Sequence, residues 1–128
     1  MQKKRIAAVA AAGTMLVGAP VAIIASPASA DVERHGHCGT GHYEFSVDRE
    51  HRGFEVDFGL EDVTPGSTWR VRLYHEGKRV KSTTRYADHE GELDVETWRR
   101  NTKGKDRFKA VAHRLDGSGK CRTKITVR

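Results

Sequence analysis

The stretch "STWRVRLY", residues 67–74, alternates without a break: Trp69, Val71 and Leu73 on one side, Arg70, Arg72 and Tyr74 on the other. A period of two places successive side chains on opposite faces of a strand, so one face of this segment meets a core and the other meets water. The same period recurs upstream. "HYEFSVD" (42–48) sets Tyr43, Phe45 and Val47 against Glu44, Ser46 and Asp48, and "RGFEVDFGLEDV" (52–63) sets Phe54, Val56, Phe58 and Leu60 against Glu55 and Asp57. Downstream, "ELDVE" (92–96), "DRFKAVAHRL" (106–115) and "KCRTKITVR" (120–128) repeat it, while "RVKSTTRY" (79–86) is a weaker copy whose only aliphatic residue is Val80.

Between these runs lies turn chemistry: "TPGS" (64–67), "HEGK" (75–78), "DHEG" (88–91), "NTKGKD" (101–106) and "DGSGK" (116–120). Glycine supplies positive φ there, and Pro65 suits the first central turn position. About seven short strands at this spacing predict an all-β, antiparallel, immunoglobulin-like β-sandwich, with an open barrel as the alternative. No stretch after residue 30 sustains a helical stripe; "VETWRRN" (95–101) has room for one helical turn. Trp69 lies in register with Val71 and Leu73 and is expected in the core. Trp98, flanked by Arg99 and Arg100, is either exposed at the surface or, the reading preferred for so large a ring, covers the core where its strand ends.

The first thirty residues read as a signal peptide. "MQKKR" is a basic head, "IAAVAAAGTMLVGAPVAIIA" an apolar run, and Ala28-Ser29-Ala30 a small-x-small cleavage pattern. Cleavage after Ala30 leaves a single domain, residues 31–128, secreted and with no stable membrane span. The leader holds three of the 23 basic residues and none of the 17 acids, so the net charge falls from +6 to +3. Nucleic acid is not an expected partner at so small an excess. In an exported chain, Cys38 and Cys121 are expected to form a disulfide. Cys38 lies just before the "HYEFSVD" strand and Cys121 at the start of the last one. Two such edge strands lying side by side in parallel would bring the cysteines together at the termini, rather than as a bridge between the sheets.

"ERHGHCGTGHYEF" (33–45) gathers His35, His37 and His42 around Cys38. A His-x-His pair in a strand points both rings to one face, which makes these three the candidate metal ligands. Structural zinc, however, wants four ligands at characteristic spacings, and a disulfide removes Cys38 as a thiolate. The competing reading is a mobile polar lead-in. No cofactor is implied. No nucleophile elbow accompanies Ser46, Ser67, Ser82 or Ser118, and the acids alternate along strand faces as solvated sheet surfaces do, so no catalytic residue is assigned.

Sorting the outward residues by sheet is more informative. In an immunoglobulin-like arrangement, one sheet carries Glu44, Asp48, Glu55, Asp57, Glu92, Asp94 and Glu96 outward, with no lysine or arginine among them. The other carries Arg70, Arg72, Arg107, Lys109, Arg122, Lys124 and Arg128, with Arg79, Lys81 and Arg85 expected to extend it. In an up-and-down meander, Glu55 and Asp57 would instead pair with Arg70 and Arg72, and the contrast would vanish.

The alanine-rich leader, the Cys-Gly-Thr-Gly start, "GSTWRVRLYHEGKRV", "DRFKAVAHRLDGSGKCR" and the two terminal cysteines resemble a family of small exported actinobacterial proteins. The resemblance implies export and an immunoglobulin-like fold, and implies no activity, cofactor or catalytic residue. The functional expectation rests on the charges. It is a non-enzymatic binding domain whose ligand residues are Arg70, Arg72, Tyr74, Lys109, Arg122 and Lys124. The expected partners are an anionic cell-surface polymer or an acidic protein face, a second copy included. The alternatives are a metal-binding protein using His35, His37 and His42, or a small enzyme without a recognisable motif.

Overall fold

The computed structural model describes residues 31–128; the leader and its cleavage point after Ala30 lie outside the described residues. Eight strands follow one another: β1 (Val32–Cys38), β2 (Gly41–Glu50), β3 (Gly53–Glu61), β4 (Thr68–His75), β5 (Lys78–Tyr86), β6 (Leu93–Arg100), β7 (Asp106–Arg114) and β8 (Lys120–Val127). They form two four-stranded sheets, β1-β2-β3-β6 and β5-β4-β7-β8, with every pairing antiparallel. Setting β1 aside, β2-β3-β6 faces β5-β4-β7-β8, which is the strand partition of an immunoglobulin-like sandwich.

The period of two explains the burial. On β4, Trp69, Val71, Leu73 and His75 are buried while Arg70, Arg72 and Tyr74 alternate outward. Phe45, Phe54 and Phe58 of the first sheet and Trp69, Leu73, Phe108 and Ile125 of the second are almost fully buried between the layers. Phe54 meets Phe108 edge to face across the sandwich at 5.3 Å between ring centroids. The Trp69 indole N–H donates to Ser67 Oγ at 2.8 Å, so the core's largest ring leaves no orphaned donor.

Four expectations need correction. First, residues 32–38 form β1, an extra edge strand paired with β2 from Val32↔Val47 to Cys38↔Gly41. The lead-in holding His35 and His37 is therefore ordered, because its backbone groups complete the ladder on the free side of β2. The strands join through a two-residue turn in which Gly39 takes φ 62°, a left-handed conformation that suits glycine. Second, the Cys38–Cys121 disulfide forms, with Cα atoms 5.1 Å apart, but not between strands paired side by side. β1 pairs only with β2 and β8 only with β7, so the bond ties one sheet to the other. Third, residues 95–100 continue strand β6 rather than turning helically. Fourth, Trp98 sits opposite Glu55 on the outer face of the first sheet, 45% exposed, with its ring lying over Gly53.

The meander is excluded by the same pairings. β3 lies between β2 and β6, so Glu55 and Asp57 stand beside Asp48, Ser46, Trp98 and Glu96, a sheet away from Arg70 and Arg72.

Candidate functional site

The outer face of the second sheet is built in rows across β5, β4, β7 and β8. One row is Thr84, Arg70, His113 and Lys120; the next is Ser82, Arg72, Val111 and Arg122; the third is Arg79, Tyr74, Lys109 and Lys124. Arg107 beside Thr126 adds a fourth basic position. Every ionised side chain in these rows is basic. All six ligand residues expected from the sequence fall within them. The extension along β5 is smaller than expected. A bulge between Leu73 and Tyr74 places Arg79 outward but sets Lys81 and Arg85 opposite Leu73 and Trp69, on the other side of the sheet. Lys81 Nζ donates instead to the Glu96 carbonyl at 2.7 Å.

Few partners neutralise this face. Among the described residues, none of Arg70, Arg72, Arg79, Lys109, Arg122 and Lys124 has a carboxylate within 4.0 Å, and the arginine ion pair that does occur joins Arg114 to Asp116. Lys109 Nζ rests 4.4 Å over the Tyr74 ring, a cation–π contact that holds the ammonium at the centre of the face. Arg72 Nε is buried and has no hydrogen-bond partner, a cost the chain carries in mid-face.

The outer face of the first sheet is its opposite. Its rows bring together Glu33, Ser46, Asp57 and Glu96, then Asp48, Glu55 and Trp98, then His35, Glu44, Gly59 and Asp94. Arg100, opposite Gly53, is the cation at its far end. Burial, and crowding after it, show in the protonation. Burial, then Asp94, Glu96, Glu55 and Asp48, push Asp57 up to about 7. Burial, then Asp31 and nearby glutamates, push Asp48 up to about 6. Glu44, Glu55, Glu92 and Asp94 are also raised, burial first in each case.

A stability prediction follows from these directions. Between the ordinary carboxyl value of 3.8 and about 7, folded Asp57 holds more proton than the unfolded chain does. Stability therefore falls as pH rises through that window. After allowance for solvent screening, relief of the cluster is of order 1 kcal/mol, which moves the melting temperature by roughly 4–8 °C in a domain this size. Asp57→Asn should raise the melting temperature near pH 7.5 and flatten its pH profile. A series of thermal melts from about pH 5 to 7.5 at low salt reads both effects; melting temperatures that climb with pH would contradict this description of the face.

The candidate metal ligands do not converge as a trio. His37 and His42 are cross-strand partners with ring centroids 5.5 Å apart, and His42 Nδ1 lies 3.5 Å from Asp62. His35 turns instead to Glu33 at 3.2 Å and Glu44 at 3.7 Å. Of the three histidines only His35 belongs to a group whose ligand atoms lie close together, Glu33, His35 and Glu44, all exposed; among the described residues His75, Glu76 and Asp106, and Asp88, Glu90 and Glu92, form two others. The two glutamates escape a reading based on histidines alone: Glu33 stands two residues from His35 on the same strand, and Glu44 joins through the β1–β2 register.

A second histidine arrangement, invisible in the alternation as first read, is buried. His75 Nε2 meets Asp106 Oδ1 at 2.7 Å, and Arg99 Nε points at His75 Nδ1 from 3.3 Å. The Arg99 N–H donates to Nδ1, so the imidazole proton sits on Nε2 and is donated to Asp106. Asp106 also accepts from the Thr102 hydroxyl at 2.6 Å and its backbone N–H at 3.2 Å. The ring stacks on Phe108 at 4.4 Å. With both ring nitrogens engaged, the imidazole offers no free lone pair to a reactant. It fastens β4 to β7 and, through Arg99 on β6, one sheet to the other.

A shallow recess of about 40 Å³ lies on the acidic side, over Gly59 and between Glu44, Glu61, Glu92 and Asp94. It has room for about one water. Comparison with protein-family models and with curated proteins finds no match to the chain.

Proposed function

We propose that the chain is an exported, non-enzymatic binding domain that lays the outer face of its second sheet on an anionic cell-surface polymer. One observation carries the reading: a four-stranded face in which every ionised side chain is basic and the central ones lack carboxylate partners. Clustered like charges destabilise a domain slightly unless an anion covers them.

The form of the face favours a polymer. Strands are spaced roughly 5 Å apart and outward residues recur roughly every 7 Å along them, so the cations form a flat grid rather than a pocket. Repeating phosphate, sulfate or uronate groups match such a grid, and each arginine can grip one in a bidentate manner. Val111, in a middle row, gives sugar C–H edges an apolar patch. Two features are consistent with export. The disulfide suits an oxidising compartment, and among the described residues no helix is long and apolar enough to cross a membrane.

Chromatography of residues 31–128 on a heparin-like resin tests the proposal. The unaltered domain should be retained and released by salt, since exposed charges are screened over roughly 10 Å at 0.1 M. Arg70→Glu with Arg72→Glu and Lys124→Glu should pass straight through. Lys103→Glu with Lys105→Glu and Lys78→Glu, an equal change in net charge away from the outer rows, should still be retained. Equal retention of the face variant and the unaltered domain refutes the proposal.

A further inference from the structure

We propose that the two outer faces of the sandwich recognise each other, so that the basic sheet of one copy seats on the acidic sheet of the next and the domain assembles head to tail. The inference rests on reading the second sheet's face as the binding surface, and it adds both a partner for that face and a role for the opposite one.

The faces match in kind and extent. Each is the outer side of a four-stranded sheet, and each is nearly uniform in sign. On one, Arg72, Arg122, Lys109 and Lys124 occupy adjoining rows; on the other, Asp57, Glu96, Asp48 and Glu55 do the same. Neither set finds neutralising partners within its own copy: the described ion pairs involve Arg114 or histidines. Stacking would relieve like-charge crowding on both sides at once. Trp98, half exposed among the carboxylates, supplies an aromatic side chain for the facing copy to cover.

Geometry sets the type and strength of the assembly. The two surfaces differ, so the contact is heterologous; unless the rotation between copies closes a ring, it propagates as an open chain. Four strands of about eight residues present roughly 500 Å² per copy. That is the size range of weak, transient contacts, with dissociation constants in the micromolar range or above. The attraction is between exposed charges, so salt must dissolve it.

Sedimentation velocity of residues 31–128 at low salt, over a concentration series into the hundreds of micromolar, provides the test. The unaltered domain should show a weight-average mass that keeps growing with concentration and returns to the monomer in about 0.5 M salt. Arg72→Glu with Lys124→Glu should be monomeric, and so should Asp57→Lys with Glu96→Lys. Mixing these two variants should restore association, because each retains the face that the other has lost. Lys103→Glu with Lys105→Glu, off both faces, should assemble as the unaltered domain does, which separates facial recognition from net charge. Neutral variants, Arg72→Gln with Lys124→Gln, serve where the reversed ones fail to fold, and should weaken association at least tenfold. A domain that stays monomeric at low salt, or variants of either face that assemble undiminished, overturns the inference. Retention on the anionic resin without self-association leaves polymer binding standing and removes only this proposal. Self-association without retention removes the polymer instead.

Discussion

Replacing Cys38 and Cys121 together by alanine is expected to lower the domain's stability by about 4–5 kcal/mol, the value of closing a loop of this length in the unfolded chain. The bond joins residues 83 positions apart and so restricts nearly the whole domain before it folds. Its native setting adds to the effect. Cys38 is fully buried at the end of β1, an edge strand held by one ladder, and Cys121 sits near the start of β8, an edge strand of the other sheet. Without the bond, that end of the sandwich has only packing to keep its layers together. A small domain has about 5–15 kcal/mol in total, so the reduced form should unfold far earlier in urea. Paired urea titrations of the oxidised protein and the double alanine variant measure this directly. A difference under about 1 kcal/mol would mean that the bond restricts little that the fold does not already restrict.

The other large effect lies at the opposite end of β4. Asp106→Ala should cost about 1–3 kcal/mol, because it leaves the His75 Nε2–H without an acceptor in a buried site, while the hydroxyl and N–H of exposed Thr102 can turn to water. Asp106→Asn keeps one oxygen and should cost less. His75→Phe preserves the stack on Phe108 but strands Asp106 and Arg99, so it should be destabilising despite its good shape. Denaturant midpoints of the three variants should therefore order as Asn highest, with Phe and Ala well below the unaltered protein. If Ala matches Asn, the network is not the fastener described here.

Much of this architecture was legible because alternation is a strong signal. Trp69, Val71 and Leu73 announced a half-buried strand, and the sorting of Glu55 and Asp57 from Arg70 and Arg72 anticipated the two faces that the ladders bear out. What stayed hidden depends on register or on polar burial. β1 has almost no apolar alternation, with Val32 and Cys38 at its ends and histidines, a glycine and charges between. It is a strand because β2 offers a free edge, which no local pattern records. His75 in fact continues the inward series of β4, but "HEGK" looked like a turn and a histidine does not look like core. Asp106 was masked in the same way by "NTKGKD". Trp98 misled through its size, since large rings are usually covered. Here the inward positions of β6 go to Val95 and Leu93, leaving the tryptophan on the other side. The β5 bulge could not be inferred from spacing, and it decides that Arg79, not Lys81 or Arg85, joins the basic grid.

On the proposed function, the second sheet's outer face is where the domain binds. The most direct measurement is an amide chemical-shift map of the labelled domain titrated with a sulfated oligosaccharide at low salt. Shifts should concentrate on Arg70, Arg72, Tyr74, Lys109, Arg122 and Lys124 and their neighbours in the rows of β4, β7 and β8, and should fade as salt is added. Shifts centred on β2, β3 and β6, or a spectrum unchanged by the oligosaccharide, would contradict it.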